Sequence, residues 1–102
     1  RGTRYEVGQA ILNEASAYAS LGRHDQALHS LDEARRLFAE EGNQPAVADA
    51  DLQRAALLLA RGASSDSLAL ALRCADTFAG LDLPVKQARA CLTAARAALA
   101  LG

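Results

Sequence analysis

The chain has 102 residues, enough for one modest core; 51% of them are apolar, 23% are charged, and the net charge is −1. That balance argues against disorder and against nucleic acid, whose phosphates demand a basic face. The longest apolar run, Ala55 to Ala60, is far short of the roughly 18 residues a membrane span needs, so no membrane partner is expected.

Arg1 to Arg4 read as the tail of a loop, with Gly2 in register with Gly42. From about Tyr5, apolar residues fall at Val7, Ile11, Leu12, Ala15, Tyr18, Ala19 and Leu21, steps of three and four that define one face of a helix. Gly22 stops it. A second helix starts near His24 or Asp25, where an acidic side chain suits the N-terminal dipole. It carries Ala27, Leu28, Leu31, Ala34, Leu37 and Phe38 on one stripe. Glu40-Glu-Gly-Asn-Gln-Pro45 breaks it, with glycine and proline as punctuation.

The third helix, about Pro45 to Arg61, places proline in the first turn, where a missing N–H costs nothing. Ser64, Ser65 and Asp66 are candidate caps for a fourth helix that runs to about Phe78 or Ala79. Gly80 to Leu83 forms the next turn, and a fifth helix spans about Pro84 to Leu101. No strand pattern appears. The predicted fold is all-α, with helices paired about 5–41 and 45–79 and an extra helix at about 84–101.

An ungapped shift of forty residues superimposes informative positions. Gly22, Gly62 and Gly102 recur, as do Val7 and Val47, Leu12, Leu52 and Leu92, Leu28 and Leu68, Phe38 and Phe78, and Leu59 and Leu99. An internal repeat of this length points to a stack of helix pairs, each of which cannot bury its apolar face alone.

Ala15, Tyr18, Gly22, Ala27 and Ala34, at these mutual spacings, resemble the tetratricopeptide repeat signature. The second copy keeps Ala55, Leu58 and Gly62 but has Ser67 and Cys74 for the two later alanines; a third half-copy has Ala95, Ala98 and Gly102. Glu14 and Arg54 stand where that family places a large apolar residue, leaving Leu12 and Leu52 to take over part of the core role. The forty-residue period exceeds the family's usual spacing and implies helices longer by about a turn. This long form is similar to repeats in large bacterial multidomain proteins of two kinds: ATP-binding transcription regulators, and proteins whose repeat arm precedes a caspase-like CHAT protease domain.

The resemblance implies a right-handed α-α superhelix and a non-catalytic scaffold that binds a protein or peptide in a concave groove. The alternative is a sensory or regulatory arm acting on another domain of the same chain. Either is expected in a bacterial cytoplasm; ten Arg against one Lys, with abundant alanine, agrees with a GC-rich genome. The implied groove positions are Gln9, Leu12, Asn13, Ser16, Ala19 and Ser20 in the first copy. They are followed by Asp49, Leu52, Gln53, Ala56, Leu59 and Ala60, then by Arg89, Leu92, Thr93, Arg96 and Leu99. Two readings of the recurring leucines stay open, plain core and apolar groove floor. No Lys and Asn cluster matches the family's clamp for a C-terminal carboxylate.

Catalytic chemistry finds no foothold in the sequence. His24 and His29 are five apart on one helix, hence about 140° apart in direction, and lack metal-binding separations. No CxxC, nucleophile elbow, phosphate loop or HExxH occurs. Neither enzyme activity, metal nor cofactor is expected. Cys74 and Cys91 are expected as free thiols on packed faces, Cys74 toward the fifth helix. Ala15, Ala27, Ala55 and Ala95 are expected at close helix crossings. The chain also reads as a portion of a longer array, whose apolar ends are expected to be covered by another copy through self-association.

Overall fold

The structure, a computed structural model, describes residues 3–102; Arg1 and Gly2 lie outside that range. Among the described residues the chain forms five helices and no strand: α1 (Thr3–Ser20), α2 (His24–Glu40), α3 (Gln44–Ala60), α4 (Ser64–Gly80) and α5 (Pro84–Leu101). The first helix thus opens two residues before Tyr5, and takes in part of the stretch expected as loop. Each helix packs on the next, and α3 also touches α1 and α5, whereas α2 and α4 stay apart. Helices α1, α3 and α5 therefore form one layer and α2 and α4 the other, in a slab of 45 × 33 × 17 Å.

Helix starts at 24, 44, 64 and 84 are twenty residues apart, so the backbone repeats at half the period of the side chains. The turns explain this. Residue N–H groups at Arg23, Asn43, Ala63 and Leu83 donate to the carbonyls of Tyr18, Phe38, Leu58 and Phe78 at 2.9–3.0 Å. This six-to-one bond, with the paired bond from the preceding residue, is the Schellman closure of a helix end. It requires a left-handed residue, supplied by Gly22 (φ 76°), Gly42 (φ 67°) and Gly62 (φ 85°), and in the fourth turn by Asp82 (φ 57°).

The same closure decides the caps. Because each turn is three residues long, the residue that completes one helix end also stands as N-cap of the next helix. Ala63 holds that place for α4, so Ser64, Ser65 and Asp66 fall inside the helix and make no cap bond, contrary to the sequence expectation. Among the described caps, Asn43 alone has a side chain that accepts a hydrogen bond, from the N–H of Ala46 at 3.2 Å.

The core divides into two clusters that meet in α3. Ala46, Ala50 and Leu57 join Leu12, Ala15, Ala27, Leu31, Ala34 and Phe38; Ala48 and Ala55 join Leu70, Ala71, Cys74, Phe78, Ala90 and Ala94. Small residues dominate because the helix axes approach closely. Ser67 is fully buried, and its hydroxyl donates to the carbonyl of Ala55 at 2.6 Å, tying α4 to α3. Cys74 is buried as expected, but its thiol turns to the carbonyl of Ala48 in α3, at 3.7 Å, rather than to α5. Cys91 and Ala95 are exposed, not packed, because no helix lies against that side of α5. Both cysteines are free thiols.

Candidate functional site

The layer of α1, α3 and α5 presents a shallow groove. One depression of about 370 Å³ is lined by Gln9 and Leu12 from α1, Asp49, Leu52, Gln53 and Ala56 from α3, and Lys86, Arg89 and Thr93 from α5. A second, of about 290 Å³, continues it along Ser16, Ala19, Ser20, His24, Gln53, Ala56, Leu57 and Ala60. Gln53 and Ala56 border both. Helical spacing accounts for the convergence, since Asp49, Leu52, Gln53 and Ala56 are steps of three and four along one side of α3.

Two cross-links fix the walls. The Ser16 hydroxyl donates to Oε1 of Gln53 at 3.1 Å, joining α1 to α3. Lys86 Nζ donates to both carboxylate oxygens of Asp49, at 2.8 and 3.0 Å, joining α5 to α3. The Asp49 charge is thus answered within the groove, and the exposed Arg89 leaves the α5 wall basic. Thr93 spends its hydroxyl on its own helix, donating to the carbonyl of Arg89 at 3.2 Å.

The expected groove residues divide accordingly. Gln9, Leu12, Ser16, Ala19, Ser20, Asp49, Leu52, Gln53, Ala56, Ala60, Arg89 and Thr93 come together. Asn13, Leu59, Leu92, Arg96 and Leu99 do not line either depression, although Asn13, Leu92, Arg96 and Leu99 are exposed on the same layer. The leucine row is not uniform. Leu12 is buried core that also shows an edge to the groove, Leu52 is half-buried against the second cluster, Leu59 is half-buried, and Leu92 and Leu99 are exposed. Lys86 and His24 are groove residues that the repeat alignment missed. Lys86 has Ala46 as its counterpart forty residues back, and His24 opens α2, outside the odd-numbered helices to which the groove positions are assigned.

The opposite side carries a larger crevice of about 690 Å³, where α2 and α4 diverge over α3. Four of its six charged residues pair, while among the described residues Asp66 and Arg73 stand in no ion pair. Arg35 Nε donates to Asp51 at 2.7 Å, which raises the Arg35 pKa, and Arg54 pairs with Asp32. This pairing is the use made of Arg54, where the family pattern has an apolar residue; Glu14 is exposed and accepts from the Ser30 hydroxyl at 3.4 Å. Beneath the crevice, burial and the nearby Asp51 carboxylate push the Cys74 thiol up to about 11, which leaves it a poor nucleophile near neutral pH.

Among the described residues no three His, Cys, Asp or Glu side chains converge as a metal site would require, and no helix is long and apolar enough to cross a membrane. Compared with known proteins, the chain matches no family model, no curated protein and no solved structure. Its functional reading therefore rests on its own residues and geometry.

Proposed function

We propose that the chain is a tetratricopeptide-like, non-catalytic interaction module that binds a peptide or helix of a partner protein along the α1–α3–α5 groove. The carrying observation is the convergence of three successive odd-numbered helices on one continuous depression, walled by the Ser16–Gln53 and Asp49–Lys86 links. Its chemistry suits a peptide: the side-chain amides of Gln9 and Gln53 for a backbone, the edges of Leu12, Leu52 and Ala56 for apolar side chains, and Arg89 for an acidic one. The larger crevice on the other side is a poorer receptor, because four of its charged groups, Arg35 with Asp51 and Arg54 with Asp32, are already paired across it and a ligand using them would have to break those pairs.

Peptide display tests this. Peptides selected on the protein should lose affinity at least tenfold toward Ala56→Trp, a substitution at an exposed position that fills the groove without touching either core cluster. Selected peptides that bind Ala56→Trp unchanged would refute the groove as receptor.

A further inference from the structure

The charge of the groove is concentrated at one place. Of the side chains lining its first depression three are charged: Asp49 on α3, and Lys86 and Arg89 on α5. Asp49 is the one carboxylate that lines either depression. Lys86 donates to both of its oxygens, at 2.8 and 3.0 Å, so that acid is already claimed. An ammonium group carries three donors, and this pairing spends two. The pair is not sealed off, since the Lys86 and Asp49 side chains stay 39% and 33% exposed. Arg89, close to one turn further along α5, enters no ion pair among the described residues. One carboxylate against two cations leaves this point of the groove with a surplus positive charge. The place of Arg89 follows from the repeat: it stands forty residues after Asp49, which lines the same groove with α1 and α5 on either side of α3.

Apolar contact lies at a fixed distance from that charge. Along α3, Leu52 and Ala56 follow Asp49 by three and seven residues, about 4.5 and about 10.5 Å of helix rise. Leu52 is half-buried and Ala56 exposed, so both offer an edge to a ligand. The midpoint between them is about 7.5 Å from Asp49. Two residues of an extended chain rise about 6.6 Å, and their side chains point the same way. An extended segment can therefore set one side chain at the charges and the next but one over Leu52 and Ala56.

We propose that the groove selects an extended acidic peptide, with an Asp or Glu side chain at Lys86 and Arg89 and an apolar side chain two residues away over Leu52 and Ala56. This rests on the groove as the receptor and supplies its specificity. Lys86 has two parts in it. It masks Asp49, which alone would recruit lysine or arginine, and it offers its third N–H beside the Arg89 guanidinium. A basic side chain in the same place meets two cations and an acid that is already paired. Lys86 thus sets the sign of the groove.

Peptides selected by display on the protein should carry an acidic residue two positions from an apolar one. Changing that acid to its amide should weaken binding about fivefold at low salt, the upper end for an exposed charge pair, and about 0.5 M NaCl should remove most of the difference. Two variants separate selection from bracing, and both positions lie outside the core clusters, so helix content should be kept. Lys86→Gln unmasks Asp49 and cancels the surplus charge, so the preference for acid over amide should vanish. Asp49→Asn frees Lys86 and enlarges the surplus, so the preference should at least double. A bridge that only braced α5 against α3 would respond alike to the loss of either partner. Equal weakening of acid and amide peptides in both variants would overturn the proposal, and so would selected peptides without acidic enrichment. Either result, with binding still lost in Ala56→Trp, leaves the groove standing as receptor. Selected peptides that bind Ala56→Trp unchanged would overturn the groove and its specificity together.

Discussion

Gly8 lends the space of its missing side chain to the ring of Phe38. A Cβ built on Gly8 would lie 2.5 Å from Cε1 of that ring, which is itself 1% exposed, so neither partner can move away into solvent. Alanine ordinarily improves a helix interior over glycine by roughly 0.5–1 kcal/mol. Here overpacking, at roughly 1–3 kcal/mol, outweighs that gain. Gly8→Ala should therefore lower stability by about 1 kcal/mol in chemical denaturation. A stabilised variant would mean that Phe38 has room to turn.

The alanine crossings separate size from polarity. Ala55 is fully buried under Ser67, and Ala55→Leu should cost roughly 1–3 kcal/mol by overpacking the contact. Ser67→Ala removes only the hydroxyl, and the first repeat fills the equivalent place with Ala27, itself fully buried. The lost hydrogen bond sets an upper limit of about 1 kcal/mol for that change. If Ser67→Ala were the more damaging of the two in thermal melts, the hydroxyl rather than close approach would hold α4 to α3.

The cysteines should behave oppositely. An alkylating reagent at pH 8 is expected to modify Cys91 and spare Cys74, whose thiol is buried and held near 11; intact-mass analysis should show a single adduct until the chain is unfolded. The shift also sets a pH dependence. A thiol whose pKa is raised on folding keeps its proton in the native state after the unfolded chain has lost it, so its contribution is fully present below about pH 9 and falls away toward pH 11. Cys74→Ala, matching Ala34 of the first repeat, should flatten stability over that alkaline window and leave it unchanged in slope near neutrality.

Much of this architecture is legible in the sequence, because glycine recurs where a left-handed residue closes the first three turns and small residues recur where helices cross. Five helices and most of their turns follow from those two signals, whereas the groove positions rest on the tetratricopeptide resemblance. Ala95 and Cys91 show where such reading stops. The repeat tells which face of α5 they occupy, but burial depends on whether a neighbouring helix exists, and that is a property of the assembly rather than of local pattern. Ser64 failed as a cap for a different reason: the three-residue Schellman turn assigns the N-cap to the residue before it. The twenty-residue backbone period stayed hidden because odd and even helices differ in side chains, and because the fourth turn breaks the glycine series with Asp82.

That break supplies the last prediction. Asp82 holds φ 57° where three preceding turns and the chain's Gly102 use glycine at φ 67–85°. Left-handed backbone costs a residue with a Cβ roughly 1–2 kcal/mol, an amount that Asp moderates without erasing. Its carboxylate also follows the C-terminus of α4, where negative charge is unfavourable, though it precedes the N-terminus of α5, where negative charge is welcome. These two charge effects oppose each other, so the backbone conformation should decide the sign. Asp82→Gly also frees the unfolded chain, which takes back part of the gain. The expected net result is a stabilisation of about 0.5 kcal/mol, a rise in Tm of a few degrees for a chain of this size. Asp82→Asn keeps the tolerance for left-handed backbone and removes the charge, so it should leave Tm nearly unchanged. Asp82→Ala, which has neither glycine's freedom nor a polar side chain, should lower it. An Asn variant that matched the Gly variant would mean that the carboxylate, not the left-handed backbone, is what weakens the fourth turn.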